Sequence, residues 1–295
     1  MISICIPIYN FNVIKLVKSL IEQAEKSKYQ YEIICIDDSS NNEYLSLNSQ
    51  LFNYDIVKYF ILKENIGRSK IRNLFLKKSY YDNLLFIDCD CSIHSSKYLQ
   101  MYFQETTRDI VYGGRKHSTN SPSKDKKKLR WLYGIKREDQ DYKFRLSNPY
   151  HSFRSNNFLI KKSVFKKIKF DEEITFYGHE DTLLSIELKK KGIEIYNINN
   201  PVFHDGIEDN IDFLKKTRFA IRNLSIIETK DVDLSFVKIL TNYKRLDKLK
   251  LIFLLSVISN IGIKIIEKQL LSNRPSIILF DIYKILYYVK IKKNV

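Results

Sequence analysis

The chain has 295 residues, 44% of them hydrophobic and 28% charged, which is enough apolar material for a sizeable core and excludes a disordered polar chain. Its formal charge of +16 calls for an anionic partner, such as a phosphorylated ligand or an acidic membrane face. No nucleic-acid motif accompanies the lysines, many of which lie in loops and in the C-terminal third, so nucleic acid is not the expected partner.

The chain opens directly on Met1-Ile2-Ser3-Ile4-Cys5-Ile6-Pro7, without a basic n-region, so no signal peptide is expected. Cys5, Cys35, Cys89 and Cys91 do not have the spacing of a disulfide framework, which points to a reducing, cytoplasmic setting. Residues Ile2 to Ile8 read as a buried strand, followed by Tyr9 and Asn10. Val13, Leu16, Val17, Leu20 and Ile21 recur at helical spacing. A second strand runs from Glu32 to Ile36 into Asp37-Asp38, and a weaker helix from Asn42 to Phe52. A third strand, Ile56 to Leu62, leads to Glu64-Asn65-Ile66-Gly67-Arg68 and a basic helix ending near Tyr80.

The fourth strand is Leu84-Leu85-Phe86-Ile87, with Asp88-Cys89-Asp90 at its end. In extended geometry Asp88 and Asp90 point to one side, where a hard divalent cation carrying a diphosphate relieves their repulsion; the alternative reading is a strand ending in an acidic turn. Uniformly apolar strands alternating with helices predict a parallel sheet covered on both faces, binding ligands at the carboxyl ends of its strands. No G-x-G-x-x-G or P-loop pattern is present, so dinucleotide and P-loop sites are disfavoured.

Ser95 or Ser96 is placed to cap a helix reaching Glu105, and Ile110 to Tyr112 suggests a further strand closed by Gly113-Gly114. Arg115 to Lys128 lacks apolar residues and reads either as a mobile loop able to close over a ligand or as a solvated charge run. Apolar character returns from Tyr150 to Ile160 around Asn156 and Asn157. Glu180 and Asp181 open a helix that ends in Lys189-Lys190-Lys191-Gly192, acidic at its start and basic at its end. A strand over Ile193 to Ile198 and the run Val202-Phe203-His204-Asp205-Gly206 follow.

Beyond Ile207 the pattern is helical and basic, over Phe213–Ile227, Phe236–Leu240, Leu249–Leu271 and Ile277–Val289. The uncharged run between Lys250 and Lys264 is shorter than the roughly 20 residues of a spanning helix. Ser256, Asn260, Lys264 and Glu267 fall on one stripe, so that helix is amphipathic. The tyrosines and lysines of the last helix suit either the surface of an anionic bilayer or packing against protein.

Together these residues resemble the family 2 glycosyltransferases of GT-A fold. The likeness runs in order through Pro7, Tyr9 and Asn10, Asp37-Asp38-Ser39, Glu64-Asn65-x-Gly67 with Arg72-Asn73, the Asp88-x-Asp90 motif, Asn156 or Asn157, Phe170-Asp171-Glu172, Glu180-Asp181 and His204. Phe176 to Asp181 also looks like the F-W-G-G-E-D acceptor motif of galactosyltransferases and chondroitin-polymerase-type enzymes. Tyr177 replaces the Trp there and His179 the second Gly, which bears on the acceptor's identity rather than on the reaction.

The resemblance implies an α/β fold: a Rossmann-like, mostly parallel sheet flanked by helices over residues 1–206, with a C-terminal helical extension over 207–295. It gives residues 1–112 to the nucleotide-sugar half and 113–206 to the acceptor half. It implies that Tyr9 stacks on the base with Pro7 and Asn10 shaping its loop, and that Asp37 or Asp38 accepts from a uracil-type N–H. Asn65, Gly67, Arg68, Arg72 and Asp88 line the donor. Asp90 and His204, beside Asp88, bind Mn²⁺ or Mg²⁺, and Asn156, Asn157, Tyr177, Gly178 and His179 face the acceptor. Asp181 is the general base, with Glu180 orienting the acceptor or supporting the helix start. The implied reaction is inverting transfer from a UDP-sugar to a glycan or lipid-linked glycan, with the enzyme cytoplasmic and peripheral at the inner membrane face. A nucleotidyltransferase and a silent glycan- or nucleotide-binding module are the alternatives.

Overall fold

The computed structural model describes every residue except Phe176, Asp231, Asn294 and Val295. In chain order it contains β1 (Ile2–Ile8), α1 (Ile14–Glu25), β2 (Tyr31–Asp37), α2 (Asn42–Asn48), β3 (Val57–Ile61), α3 (Arg68–Lys78) and β4 (Asn83–Ile87). The central stretch holds β5 (Cys91–Ser92), α4 (Tyr98–Gln104), β6 (Ile110–Tyr112), β7 (Arg115–Lys116), α5 (Lys128–Tyr133), α6 (Tyr142–Ser147), α7 (Pro149–Ser152), β8 (Asn157–Lys161) and α8 (Lys162–Lys167). Then come α9 (Glu180–Lys190), β9 (Tyr196–Asn197), β10 (Val202–His204), α10 (Asn210–Ile227), α11 (Lys238–Lys248), α12 (Ile252–Leu270) and α13 (Ile277–Lys293).

The chain forms two compact units. The first comprises Met1–Ser118, Asp139–Thr175 and Glu180–Gly206, and the second Thr119–Glu138, Phe176–His179 and Ile207–Val295. The first unit is built on a seven-stranded sheet of order β3-β2-β1-β4-β8-β6-β9. Strands β3, β2, β1 and β4 are parallel, whereas β8 runs antiparallel to both of its neighbours. The side-chain alternation of the pleat splits the core into two layers. Ile4, Ile6, Ile33, Cys35, Leu85 and Ile87 pack to one face with α1 and α4. Cys5, Ile34, Ile36, Leu84 and Phe86 pack to the other with α3, α8 and α9. A smaller sheet of order β5-β10-β7 stands apart from the large one.

Several local expectations change. Strand β4 stops at Ile87, and Asp88–Asp90 is a turn closed by the Cys91 N–H donating to the Asp88 carbonyl (3.2 Å). Asp88 and Asp90 therefore do not share one side of an extended strand. Arg115 and Lys116 leave the charged loop to pair with β10, since backbone pairing needs no apolar side chain. Neither Ser95 nor Ser96 is the cap of α4, which starts at Tyr98 after Lys97. Only Tyr196 and Asn197 of the 193–198 run pair as strand. Pro7 lies inside β1 rather than in the loop; β4 pairs with β1 only through Cys5, so the absent Pro7 N–H falls beyond that ladder.

The second unit packs Leu129, Phe213, Leu214, Ile263, Leu270, Ile277, Phe280, Tyr283 and Leu286 into its own core. Arg130 is buried in it between Glu138 (2.9 Å) and Glu208 (3.7 Å). Of the two readings of the α13 tyrosines, packing against protein holds for Tyr283 and Tyr288, which are fully buried and hydrogen-bonded to Glu267 and Glu228. On α12 the polar stripe is only partly outward: Asn260 and Lys264 are exposed, Ser256 and Glu267 half-buried. Glu267 turns to Arg218, while Phe253, Leu254, Val257, Ile258, Ile261 and Ile265 are exposed. Among the described residues no helix is long and apolar enough to cross a membrane.

Candidate active site

The carboxyl edge of the large sheet gathers the polar ends of β1, β2 and β4, and each candidate residue there has a definable task. Tyr9 is 53% exposed, which leaves its ring face open for stacking. Asn10 adopts φ 49° and braces the next loop, its side-chain oxygen accepting from the Asn41 N–H (2.8 Å). Asp37 is fully buried, accepting from the Ser40 N–H (2.7 Å) and the Tyr59 hydroxyl (3.2 Å). Asp38 accepts from the N–H groups of Ile66 (2.7 Å) and Gly67 (3.0 Å), tying β2 to the loop before α3. Burial outweighs those two bonds and raises the Asp38 carboxyl above its ordinary value. Gly67, at φ 85°, permits the turn that opens α3. Asn65 is exposed beside it and lines a cleft of about 330 Å³ with Glu64, Lys70 and Glu172.

Arg68 and Arg72 stand one turn apart on α3, so they share a face. Arg72 is almost wholly buried and donates to Asp88 at 2.6 Å. Arg68 reaches Glu180 at 2.5 Å and Asp88 at 3.7 Å, bridging the turn after β4 to the start of α9. Burial pushes the Glu180 carboxyl up, but Arg68 and Arg72 outweigh it and leave Glu180 below the ordinary carboxylate value. Next to it, Asp181 is half-open: Arg154 lies 3.9 Å away, and its own Oδ1 accepts from the Thr182 N–H (2.7 Å). Asn73 explains the Phe170-Asp171-Glu172 run, since its amide bonds both backbone groups of Phe170 and the Glu172 carboxylate.

Asp90 takes a different partner from Asp88. The small sheet pairs His204 on β10 with Cys91 on β5 and brings His204 Nε2 to 3.2 Å from Asp90 Oδ2. Gly206 lies flat on Asp90, where a Cβ would come within 2.6 Å of the Asp90 Cβ. Burial raises the Asp90 carboxyl, but His204, helped by Arg68 and Arg115, brings it well below the usual carboxylate range. A cleft of about 480 Å³ reaches Asp90 from the side of Phe11, Asn12, Lys15 and Asp205. A carboxylate oxygen and an imidazole nitrogen side by side are a donor pair suited to Mn²⁺, and His204 Nδ1 is buried without a protein partner. Among the described residues no three His, Cys, Asp or Glu side chains converge as a metal cluster. Asp90 and His204 are therefore the residues that would hold such a cation; Asp88, held by two arginines, is not brought into the pair.

The acceptor candidates divide. Asn157 is corrected: it is fully buried, its oxygen accepting from Tyr98 (2.6 Å) and Tyr102 (2.7 Å) and its NH₂ donating to Gly114 (2.8 Å) and Asn200 (2.9 Å). That uses the full capacity of an amide, so Asn157 ties core elements together and has nothing left for a ligand. Asn156 is buried beside Asp88, its carbonyl accepting from the Asp88 N–H (3.1 Å), and both of its amide atoms lack a protein partner. Tyr177, Gly178 and His179 belong to the second unit, where Asn223 donates to the carbonyls of Tyr177 and Gly178. Gly178 (φ 99°) and His179 (φ 71°) are both left-handed, and a Cβ on Gly178 would strike Ala220 at 2.6 Å. Phe176, the first residue of that motif, lies outside the described residues.

Two features were not legible in the sequence. Arg154 lies within a stretch whose apolar character dominates, and His117 lies in the 115–128 segment read as a loop or charge run, with Asp139 beyond it. Only the spacing of acidic and basic residues flanking the strands could have hinted at either.

Sheet order and site place the chain in the GT-A class of glycosyltransferase folds. The mannosyltransferase PcManGT from Pyrobaculum calidifontis, solved with GDP-Man and Mn²⁺, superposes with a TM-score of 0.54 at 11% identity, over 78% of this chain and 64% of that one. Residues 1–349 of S. aureus TarS, solved with UDP, give a TM-score of 0.51 at 17% identity, over 99% and 90%. The profile of Glycosyl transferase family 2 matches residues 3–169, and the chain belongs to that family. It is 29% identical over 193 residues to the poly(ribitol-phosphate) beta-N-acetylglucosaminyltransferase TarP of Staphylococcus aureus (strain N315), covering 63% of this chain and 56% of TarP. It is 25% identical over 226 residues to the chondroitin synthase of Pasteurella multocida (strain Pm70), covering 65% of this chain and 23% of that protein. The chain thus spans less than two thirds of the length of either relative.

Proposed function

We propose that the chain is an inverting, metal-dependent glycosyltransferase that moves a sugar from a UDP-sugar to a hydroxyl of a glycan or lipid-linked glycan, as in bacterial surface polysaccharide synthesis. The observation that carries this reading is Arg68, whose one guanidinium ties the Asp88 turn to the Glu180-Asp181 helix start in the same unit. It is supported by family membership and by two relatives named for polymer glycosylation.

In this mechanism Tyr9 offers a face to the base, and Arg68 and Arg72 place positive charge beside Asp88 where the nucleotide is held. Asp90 and His204 would hold the cation, which would supply stabilisation of charge on the departing diphosphate. Asp181 accepts the proton of the acceptor hydroxyl as its oxygen bonds to the anomeric carbon. The bond from that carbon to the diphosphate oxygen breaks and its electron pair leaves with the nucleotide. One displacement inverts the carbon. Arg154, at 3.9 Å, orients the Asp181 carboxylate without a tight pair that would compete for it. Tyr177, Gly178 and His179 contact the acceptor, by resemblance to the motif they match.

The test is a thermal-shift screen of nucleotide sugars with and without Mn²⁺, followed by an assay for nucleotide diphosphate release. A UDP-sugar should stabilise the protein only with the ion and be hydrolysed slowly without acceptor. Pyrophosphate release from a nucleoside triphosphate and a sugar phosphate would make it a nucleotidyltransferase, and binding without turnover a silent module.

We also infer that the protein lies peripherally on an anionic membrane at its cytoplasmic face, through α12. Six large apolar side chains are exposed along one side of that helix, and the exposed Lys264 and Lys268 lie on the same arc. Pairing two copies through this face would bring those lysines together, whereas acidic headgroups complement them. Vesicles of phosphatidylglycerol should sediment the protein at low salt and those of phosphatidylcholine should not; Val257→Asp with Ile261→Asp should abolish it. Failure of anionic vesicles to bind the wild type would discard the idea.

A further inference from the structure

The small sheet does more than bring His204 to Asp90. On one side of β10, His204 pairs with Cys91, which follows Asp90; on the other, Val202 and Phe203 pair with Arg115 and Lys116 in parallel register. The next residue after Lys116 is His117, so the register sets it beside His204. Their ring centres are 5.1 Å apart, tilted by 47°. The His117 side chain is fully buried. Asp139 grips it twice, accepting from its main-chain N–H at 2.9 Å and meeting Nδ1 at 2.6 Å. A carboxylate so close to Nδ1 holds the ring proton there and leaves the lone pair on Nε2.

His204 presents the complementary need. Its Nε2 is the atom beside Asp90, so a neutral imidazole that gives the Nε2 lone pair to a cation carries its proton on Nδ1. That Nδ1 is buried and has no protein partner. A metal-bound histidine normally passes its second N–H to an acceptor that fixes the ring's tautomer and orientation.

We propose that Asp139 and His117 are positioning residues for His204: Asp139 fixes the tautomer of His117, and His117 Nε2 accepts the His204 Nδ1–H, directly after a small ring rotation or through one water. This rests on the reading of Asp90 and His204 as the cation site and extends it to an outer pair. Nothing in the pair touches substrate; its effect passes through His204.

Two measurements test it, and neither needs turnover. The first uses the apo protein labelled with ¹⁵N-histidine, which has only five such residues to assign. Long-range ¹H–¹⁵N spectra should show His117 protonated at Nδ1, and Asp139→Asn should alter that tautomer. A His117 found with its proton on Nε2 overturns the proposal. The second follows Mn²⁺ binding by electron paramagnetic resonance in the presence of UDP. His117→Phe should weaken it by about 10- to 100-fold, with His117→Gln, which keeps an acceptor oxygen, closer to wild type. The melting temperature of each metal-free variant reports on folding, and if His117→Phe does not fold, Asp139→Asn takes its place. Wild-type Mn²⁺ affinity in a folded His117→Phe or Asp139→Asn variant overturns the outer pair alone. No Mn²⁺ binding by the wild type overturns the cation site and the pair with it.

Discussion

Two acidic pairs in the first unit, Asp88 with Asp90 and Glu180 with Asp181, are built on the same plan. In each, the first carboxylate is clamped by an arginine of α3: Arg72 holds Asp88 at 2.6 Å and Arg68 holds Glu180 at 2.5 Å. In each, the second is the more open, with side-chain exposures of 29% at Asp90 against 18% at Asp88, and 20% at Asp181 against 6% at Glu180. Two neighbouring carboxylates repel, and fixing one in an ion pair lets the other stay ionised for chemistry. Proximity in sequence therefore does not mean a shared role. On the proposed reading one acid of each pair braces, and its neighbour faces the ligand: Asp90 the cation and Asp181 the acceptor.

The largest expected effect separates the members of the second pair. Asp181→Asn keeps shape but removes the base, and should lower the rate of transfer by about 10²- to 10⁴-fold while donor affinity stays at the wild-type level. Glu180→Gln should cost much less in rate. Equal rate losses in both variants, or a loss of donor affinity in Asp181→Asn, would break the division of labour.

A smaller effect is expected in the first pair. Arg72→Met leaves Asp88, only 18% exposed, with Arg68 at 3.7 Å as its remaining partner. Stripping one partner from a fully buried pair costs several kcal/mol, and the partial exposure of Asp88 together with Arg68 reduces that to about 2 kcal/mol. Urea unfolding measures it. No change in midpoint would mean that Arg72 does not brace the turn.

Much of the first unit could be read before any coordinates. Strands β1, β2 and β4 are largely apolar on both faces, and only a sheet covered on both sides accommodates that pattern. The acidic start and the Lys-Lys-Lys-Gly end of α9 obey rules local to the helix, and Gly192 does take a left-handed φ of 67°. What stayed hidden depends on contacts between distant residues. Asn157 is a site residue only by the resemblance, which could not tell it from Asn156; its four partners come from α4, the Gly113-Gly114 turn and Asn200. The antiparallel placement of β8 is set by pairing with β4 and β6 and leaves no periodic signature. On α12 the pattern showed amphipathicity but not which side faces inward, because Glu267 is drawn in by Arg218.

The smallest expected effect sharpens the comparison through pH. Burial alone would raise the Glu180 carboxyl, so its depressed value means that Arg68 and Arg72 more than offset desolvation in the folded state. In the unfolded chain a glutamate titrates near 4.3. Its folded value lies lower, so the pair's contribution is fully present above about pH 5 and fades as pH falls through the depressed folded value. In that window the unfolded chain binds more protons, and one such group steepens the stability curve by at most about 1.4 kcal/mol per pH unit. Glu180→Gln should flatten the acid limb of a urea-midpoint titration between about pH 5 and pH 3 relative to wild type. If Glu180→Gln leaves that limb as steep as in wild type, Arg68 and Arg72 do not hold Glu180 below its ordinary value, and the clamped role is lost.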